Sequence, residues 1–137
     1  MVRKARSRTA RRGTTVVECA VVYPITLLLF IGTVVMGLGV FRYQELQLLA
    51  REGARYASVH GPNYAAQTGN AQASTSTVQT YVQGLSVALG GLTCTAVTYS
   101  ATSLPCTVSV TLSYTWKPEG YFQSVTWNVT STMPVTY

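Results

Sequence analysis

From Cys19 to Phe41 the chain runs 23 residues without a charge, CAVVYPITLLLFIGTVVMGLGVF. As an α-helix at ~1.5 Å per residue this run measures ~35 Å, against ~30 Å of bilayer hydrocarbon. It is long enough to cross with some tilt. Beyond Phe41 the pattern turns from continuous to periodic. In FRYQELQLLAREGARYASVHG the apolar or small positions Leu46, Leu49, Ala50, Gly53, Ala54 and Ala57 fall on one helical face. Gly61-Pro62 then supplies a stop signal. The two patterns join without a breaker, so a single long helix is predicted, transmembrane over 14–41 and amphipathic over 42–61.

Periodicity lapses in NYAAQTGNAQAST, and residues 62–75 read as a polar linker. Val78, Tyr81, Val82, Leu85 and Leu89 return to helical spacing, with Ser76 and Gln79 as a capping box and Gly90-Gly91 as the end. After Gly91 the period becomes two. Val108, Val110, Leu112, Tyr114 and Trp116 alternate with serines and threonines; KPEG turns the chain; Val125, Trp127 and Val129 alternate again. With a shorter strand around TCTAVTY, these segments predict a three-stranded antiparallel sheet, apolar on one face. The short helix is the natural cover for that face. The fold class is α+β: a long N-terminal helix, then a small domain over 76–137.

Two features inside the apolar run modify this picture. Pro24 removes the donor that would reach the Ala20 carbonyl, so a kink is expected there. Gly32, Gly37 and Gly39 permit close helix packing, but their spacing is not that of a GxxxG pair.

Charge matters only once it is located. The net +6 of the 137 residues resides in Arg3, Lys4, Arg6, Arg8, Arg11 and Arg12, and residues 1–13 hold no acid. From Thr14 on, Arg42, Arg51, Arg55 and Lys117 balance Glu18, Glu45, Glu52 and Glu119. A basic leader directly before an apolar helix places the N-terminus in the cytoplasm and residues 42–137 outside. The cluster has no interleaved aromatics, so nucleic acid is not an expected partner. A cleaved secretory signal would also begin with cations, but its apolar core spans only ~7–15 residues. No convincing small-x-small cleavage site follows before RYQELQLLAREGAR.

Catalytic groups are sparse. His60 is the only histidine and sits beside the helix stop, and the chain has no Walker loop, HExxH or CxxC pattern. Neither an enzyme, a metal site nor a cofactor is expected. Asn128-Val129-Thr130 fits a glycosylation pattern, but strand alternation accounts for the same residues. Outside the membrane Cys94 and Cys106 would meet an oxidising compartment. A hairpin centred near Ser100 would set them opposite each other, and the disulfide would contribute ~3 kcal/mol by chain entropy.

Glu18 is the anomaly, a carboxylate at the mouth of the apolar run, five positions after Gly13. Well inside lipid an unpaired charge costs several kcal/mol. Basic leader, glycine, glutamate at the fifth following position, proline early in the apolar run and AREGARYA beyond it form a recognisable set. Residues 11–57 resemble the TadE-like proteins of bacterial tight-adherence (Flp-type) pilus systems, which are pseudopilins processed by prepilin peptidase. The resemblance implies a pilin-like fold, cleavage between Gly13 and Thr14, and Glu18 as fifth residue of the mature chain. There it would pair with the new α-amine of a neighbouring subunit. The implied partners are prepilin peptidase, other pilin-like subunits (further copies of the chain included), inner-membrane assembly proteins and the lipid itself. Cys19 stands where major Flp pilins typically carry tyrosine, and the outer domain exceeds those short pilins, both pointing away from the major subunit. Two other classes compete: an unprocessed membrane-anchored adhesion module using its Ser/Thr sheet face, and a secreted protein with an unusual signal.

Overall fold

The computed structural model describes residues 11–102, 105–118 and 123–136, apart from the side chains of Arg11, Arg12 and Thr14. Most of the basic leader and Glu119 lie outside the described residues. Helix α1 covers Arg11–Val59, 49 residues, and stays helical through Pro24. Contacts divide the chain into two units, one ending at Gly37 and the other running from Leu38 to Tyr137.

In the first unit, no described residue from 13 to 37 is buried. Valine, leucine, isoleucine and phenylalanine face outward all round α1, with Leu28 71% and Phe30 68% exposed. A helix that is apolar on every side calls for an apolar surrounding. Two threonine hydroxyls midway along it are satisfied locally, Thr26 Oγ1 donating to the Val22 carbonyl and Thr33 Oγ1 to the Leu29 carbonyl, both at 2.9 Å. Such back-bonding keeps these two threonine donors paired where hydrocarbon could offer no acceptor.

The second unit is built around the amphipathic part of α1. Leu46, Leu49, Ala50, Ala54 and Ala57 are buried in one cluster with Val78, Val82, Leu92, Val108, Val110 and Leu112. The segments 42–61 and 76–137 therefore share one core. Three strands form a meander in the order β1 (Thr93–Tyr99), β2 (Thr107–Trp116), β3 (Val125–Pro134), all antiparallel. On β2 Val108, Val110, Leu112 and Tyr114 are buried, as the period-two pattern predicts. The opposite face carries cross-strand hydroxyl pairs: Ser109 with Thr132 and Thr111 with Thr130 at 2.9 Å, Thr115 with Thr126 at 3.0 Å. Side-chain pairs of this kind fix register as well as stability.

Three local expectations are corrected. The stretch read wholly as linker contains helix α2, Pro62–Thr68, whose first residue has its φ preset and needs no N–H. Gly69, at φ +72, closes it in the left-handed region and donates to the Ala65 carbonyl.

Helix α3 covers Thr75–Leu85 rather than 76–89, and its cap is Ser74 with Thr77, not Ser76 with Gln79. Thr77 N–H donates to Ser74 Oγ at 3.4 Å, and Ser74 N–H to Thr77 Oγ1 at 2.8 Å. In a run of hydroxyl residues, the one with extended backbone becomes the cap, and Ser74 has φ −101° and ψ 168°. The helix ends early because Glu45 Oε1 takes the N–H groups of Val87 and Ala88, at 2.9 and 3.0 Å. Leu89 is nevertheless buried.

The third correction concerns the cysteines. Cys94 and Cys106 are free and buried. Tyr99 pairs with Val108, so the hairpin turns beyond Ser100, and Cys94 faces Leu112 across the ladder. Leu112 is six residues along from Cys106. At ~3.4 Å per residue the separation approaches ~20 Å, while a disulfide requires Cα atoms within ~7 Å.

Candidate membrane-insertion and assembly segment

Gly13 lies in the first turns of α1 with nothing within 4 Å of where a side chain would begin. Glu18 is exposed, and Cys19 beside it is half-buried. Residues 13, 18 and 24 thus stand on one continuous helix, with the apolar run beginning immediately after the carboxylate.

Further along, the small residues of AREGARYA acquire a physical purpose. A methyl group on Gly53 would lie 3.1 Å from Val82, 3.3 Å from Val78 and 3.5 Å from Val110. Ala50, Ala54 and Ala57 are fully buried on the same face. The helix comes so close to α3 and the sheet that only minimal side chains fit between. On the far side of the turn, Arg51 and Arg55 remain exposed.

Residues 13–55 match the TadE-like protein family. The match bears out the resemblance read from the residues, and it begins at Gly13. No curated protein and no solved structure matches the chain. The TadE-like segment joins two kinds of helix surface: residues up to 37 carry exposed apolar side chains, and residues 46–54 contribute to the core of the second unit.

Three tertiary contacts escaped the sequence. Glu45, read only as one of four balancing acids, clamps the chain after α3, and its Oε2 is buried without a partner. Tyr99 reaches from β1 to the end of α1, where its hydroxyl faces the carbonyls of Ala57 at 3.1 Å and of His60 and Ala73 at 3.4 Å. Burial, with the Cys106 thiol adding to it, pushes that hydroxyl up to about 12 from the ordinary 10. The third is Gly39, against which the Trp116 ring lies: a methyl there would be 2.8 Å from two ring carbons.

His60 sits where the helix stop put it. Its ring stacks on Tyr56 at 4.2 Å, and Nδ1 lies 2.9 Å from the Tyr56 carbonyl. A carbonyl only accepts, so Nδ1 carries the proton. No cluster of three or more metal-ligating side chains occurs among the described residues. Burial pushes the Cys94 thiol up, which disfavours the reactive thiolate.

Proposed function

We propose that the chain is a pseudopilin, a minor pilin-like structural protein of a tight-adherence pilus system in the bacterial inner membrane. Prepilin peptidase cuts it between Gly13 and Thr14 on the cytoplasmic side, and residues 42–137 stand outside. The observation that carries this reading is the family match beginning at Gly13, coupled to a helix whose apolar surface is open on every side through residue 37. An exposed glycine without neighbours gives a peptidase access to the backbone. The cut frees an α-amine of pKa ~7.7–8, mostly cationic at neutral pH, which can neutralise the Glu18 carboxylate of an adjacent subunit within the bundle.

Intact mass of the protein from membranes tests the reading. Wild type should lose residues 1–13, and Gly13→Trp should retain them by crowding the scissile bond. Glu18→Gln should be cut but fail to support piliation, since shape is kept and charge removed. An uncut wild type would transfer the reading to the unprocessed adhesion module. A Glu18→Gln protein that is cut and supports normal piliation would remove the pairing role alone.

A further inference from the structure

Where the apolar run ends, the second unit gathers both its tryptophans with Tyr43 and Tyr114 around α1. Trp116, the last residue of β2, covers Gly39 and stacks on Trp127 at 5.4 Å. Trp127 in turn meets Tyr43 edge-on at 5.6 Å. Arg42 Nη1 donates to the Tyr114 hydroxyl at 3.2 Å. Val125, paired with Trp116 across the ladder, is exposed, as is Lys117 next to it.

On another face of α1, the Glu45 clamp presents Val87 to the outside, 95% exposed, beside Phe41 at 59%. Leu38 and Val40 are exposed at the same height. Gly39 to Glu45 spans under two helical turns, so the end of β2 and the loop after α3 deliver apolar groups to one level of the helix, within ~9 Å along its axis.

We propose that these groups form a collar seated in the headgroup–acyl boundary of the bilayer that α1 enters. The occupant is lipid because the level is fixed by α1 itself. Leu38, Val40 and Phe41 belong to the uncharged run, and a membrane that takes up those residues meets Trp116 and Val87 at the same depth. Tryptophan and tyrosine favour this layer, with an apolar body and a polar edge. Lys117, exposed beside Trp116, can reach lipid phosphates on its long stem, while Arg42 is held by the Tyr114 hydroxyl at the inner side of the collar. The collar makes the outer unit rest on the bilayer surface instead of swinging on a bare stalk.

The inference depends on the membrane-anchor reading, and one experiment separates the two. The chain's two tryptophans are both in the collar, so intrinsic fluorescence reports on it directly. The full chain is reconstituted in vesicles of phosphatidylethanolamine and phosphatidylglycerol. Flotation with the vesicles in urea reports the anchor. Tryptophan quenching by bromine near the top of the acyl chains, against quenching by aqueous acrylamide, reports the collar. Flotation with strong shallow-bromine quenching and severalfold weaker acrylamide quenching than in the urea-unfolded chain is expected.

A floating protein whose tryptophans remain open to acrylamide overturns the collar and leaves the anchor standing. Tryptophans shielded from both quenchers are covered by protein, their own fold or a second copy, and not by lipid, which also overturns it. Failure to float removes both readings. Val87→Trp in the wild-type background adds a reporter at a site whose exposure spares the fold. Its added fluorescence should respond to shallow bromine as Trp116 does, and a response to acrylamide alone would refute the collar on that side.

Discussion

The hydroxyl of Tyr99 on β1 donates to the carbonyl of Ala57 in the last turns of α1, across 3.1 Å. A strand is thereby tied to a carbonyl close to the end of the helix, beside two further carbonyls that also face the hydroxyl. Tyr99→Phe keeps the ring and removes the donor. Thermal or urea unfolding in detergent should show a loss of ~1–3 kcal/mol.

The same hydroxyl predicts a pH dependence. Its proton is held more tightly in the folded chain, about 12, than at the ordinary value of 10. The contribution is therefore complete below pH 10, the unfolded value, and drains away as pH rises towards about 12. Wild type and Tyr99→Phe should accordingly converge in stability over that alkaline window. Parallel curves through it would contradict the assignment.

Glu45→Ala should release the chain after α3. Two backbone N–H groups, of Val87 and Ala88, lose a charged acceptor, at a cost of ~1.5–3 kcal/mol. Amide exchange at those two residues should accelerate most. Glu45→Gln, which retains one acceptor oxygen, should fall between wild type and alanine.

Gly53→Ala and Gly37→Ala make opposite demands. Alanine favours a helix over glycine by ~0.5–1 kcal/mol, and at Gly37 nothing lies within 4 Å to oppose it. At Gly53 the added methyl presses on Val82 and Val78 at 3.1 and 3.3 Å. Overpacking of ~1–3 kcal/mol should outweigh the helical gain. Unfolding of the two variants side by side decides it.

Residues 63–137 produced alone should remain unfolded by circular dichroism, whereas residues 38–137 should fold. The shorter piece lacks Leu46, Leu49, Ala50, Ala54 and Ala57, against which the sheet and α3 pack. Fewer than ~80 residues rarely supply a sufficient core by themselves.

Alkylation of the unreduced native protein, followed by unfolding and a second label, should find Cys94 and Cys106 both as thiols. Each is buried, so both should take the second label.

How legible the fold was depends on whether a feature repeats. Period two fixed β2 to within a residue, because each side chain from Thr107 to Tyr114 alternates between faces. The helical face of Leu46, Leu49, Ala50 and Ala54 was equally plain, since burial follows the same spacing. The caps of α3 were not legible. Four hydroxyl residues in a row offer equivalent caps, and backbone conformation at Ser74 chose among them. Glu45 and Tyr99 were invisible for another reason: each acts on backbone atoms about forty residues away, and backbone leaves no mark in the pattern. The cysteine pairing failed through a hairpin centre shifted by a few residues, which in an antiparallel ladder shifts every partner.

One consequence follows from where α1 places its cations. Arg42, Arg51 and Arg55 all lie within its continuous helix, and the only later cation, Lys117, is followed by Pro118. Proteases that cut after arginine or lysine need an extended backbone and are blocked by a following proline. The folded protein offers trypsin-like enzymes no usable bond beyond Arg55, a durability obtained by composition rather than by crosslinks.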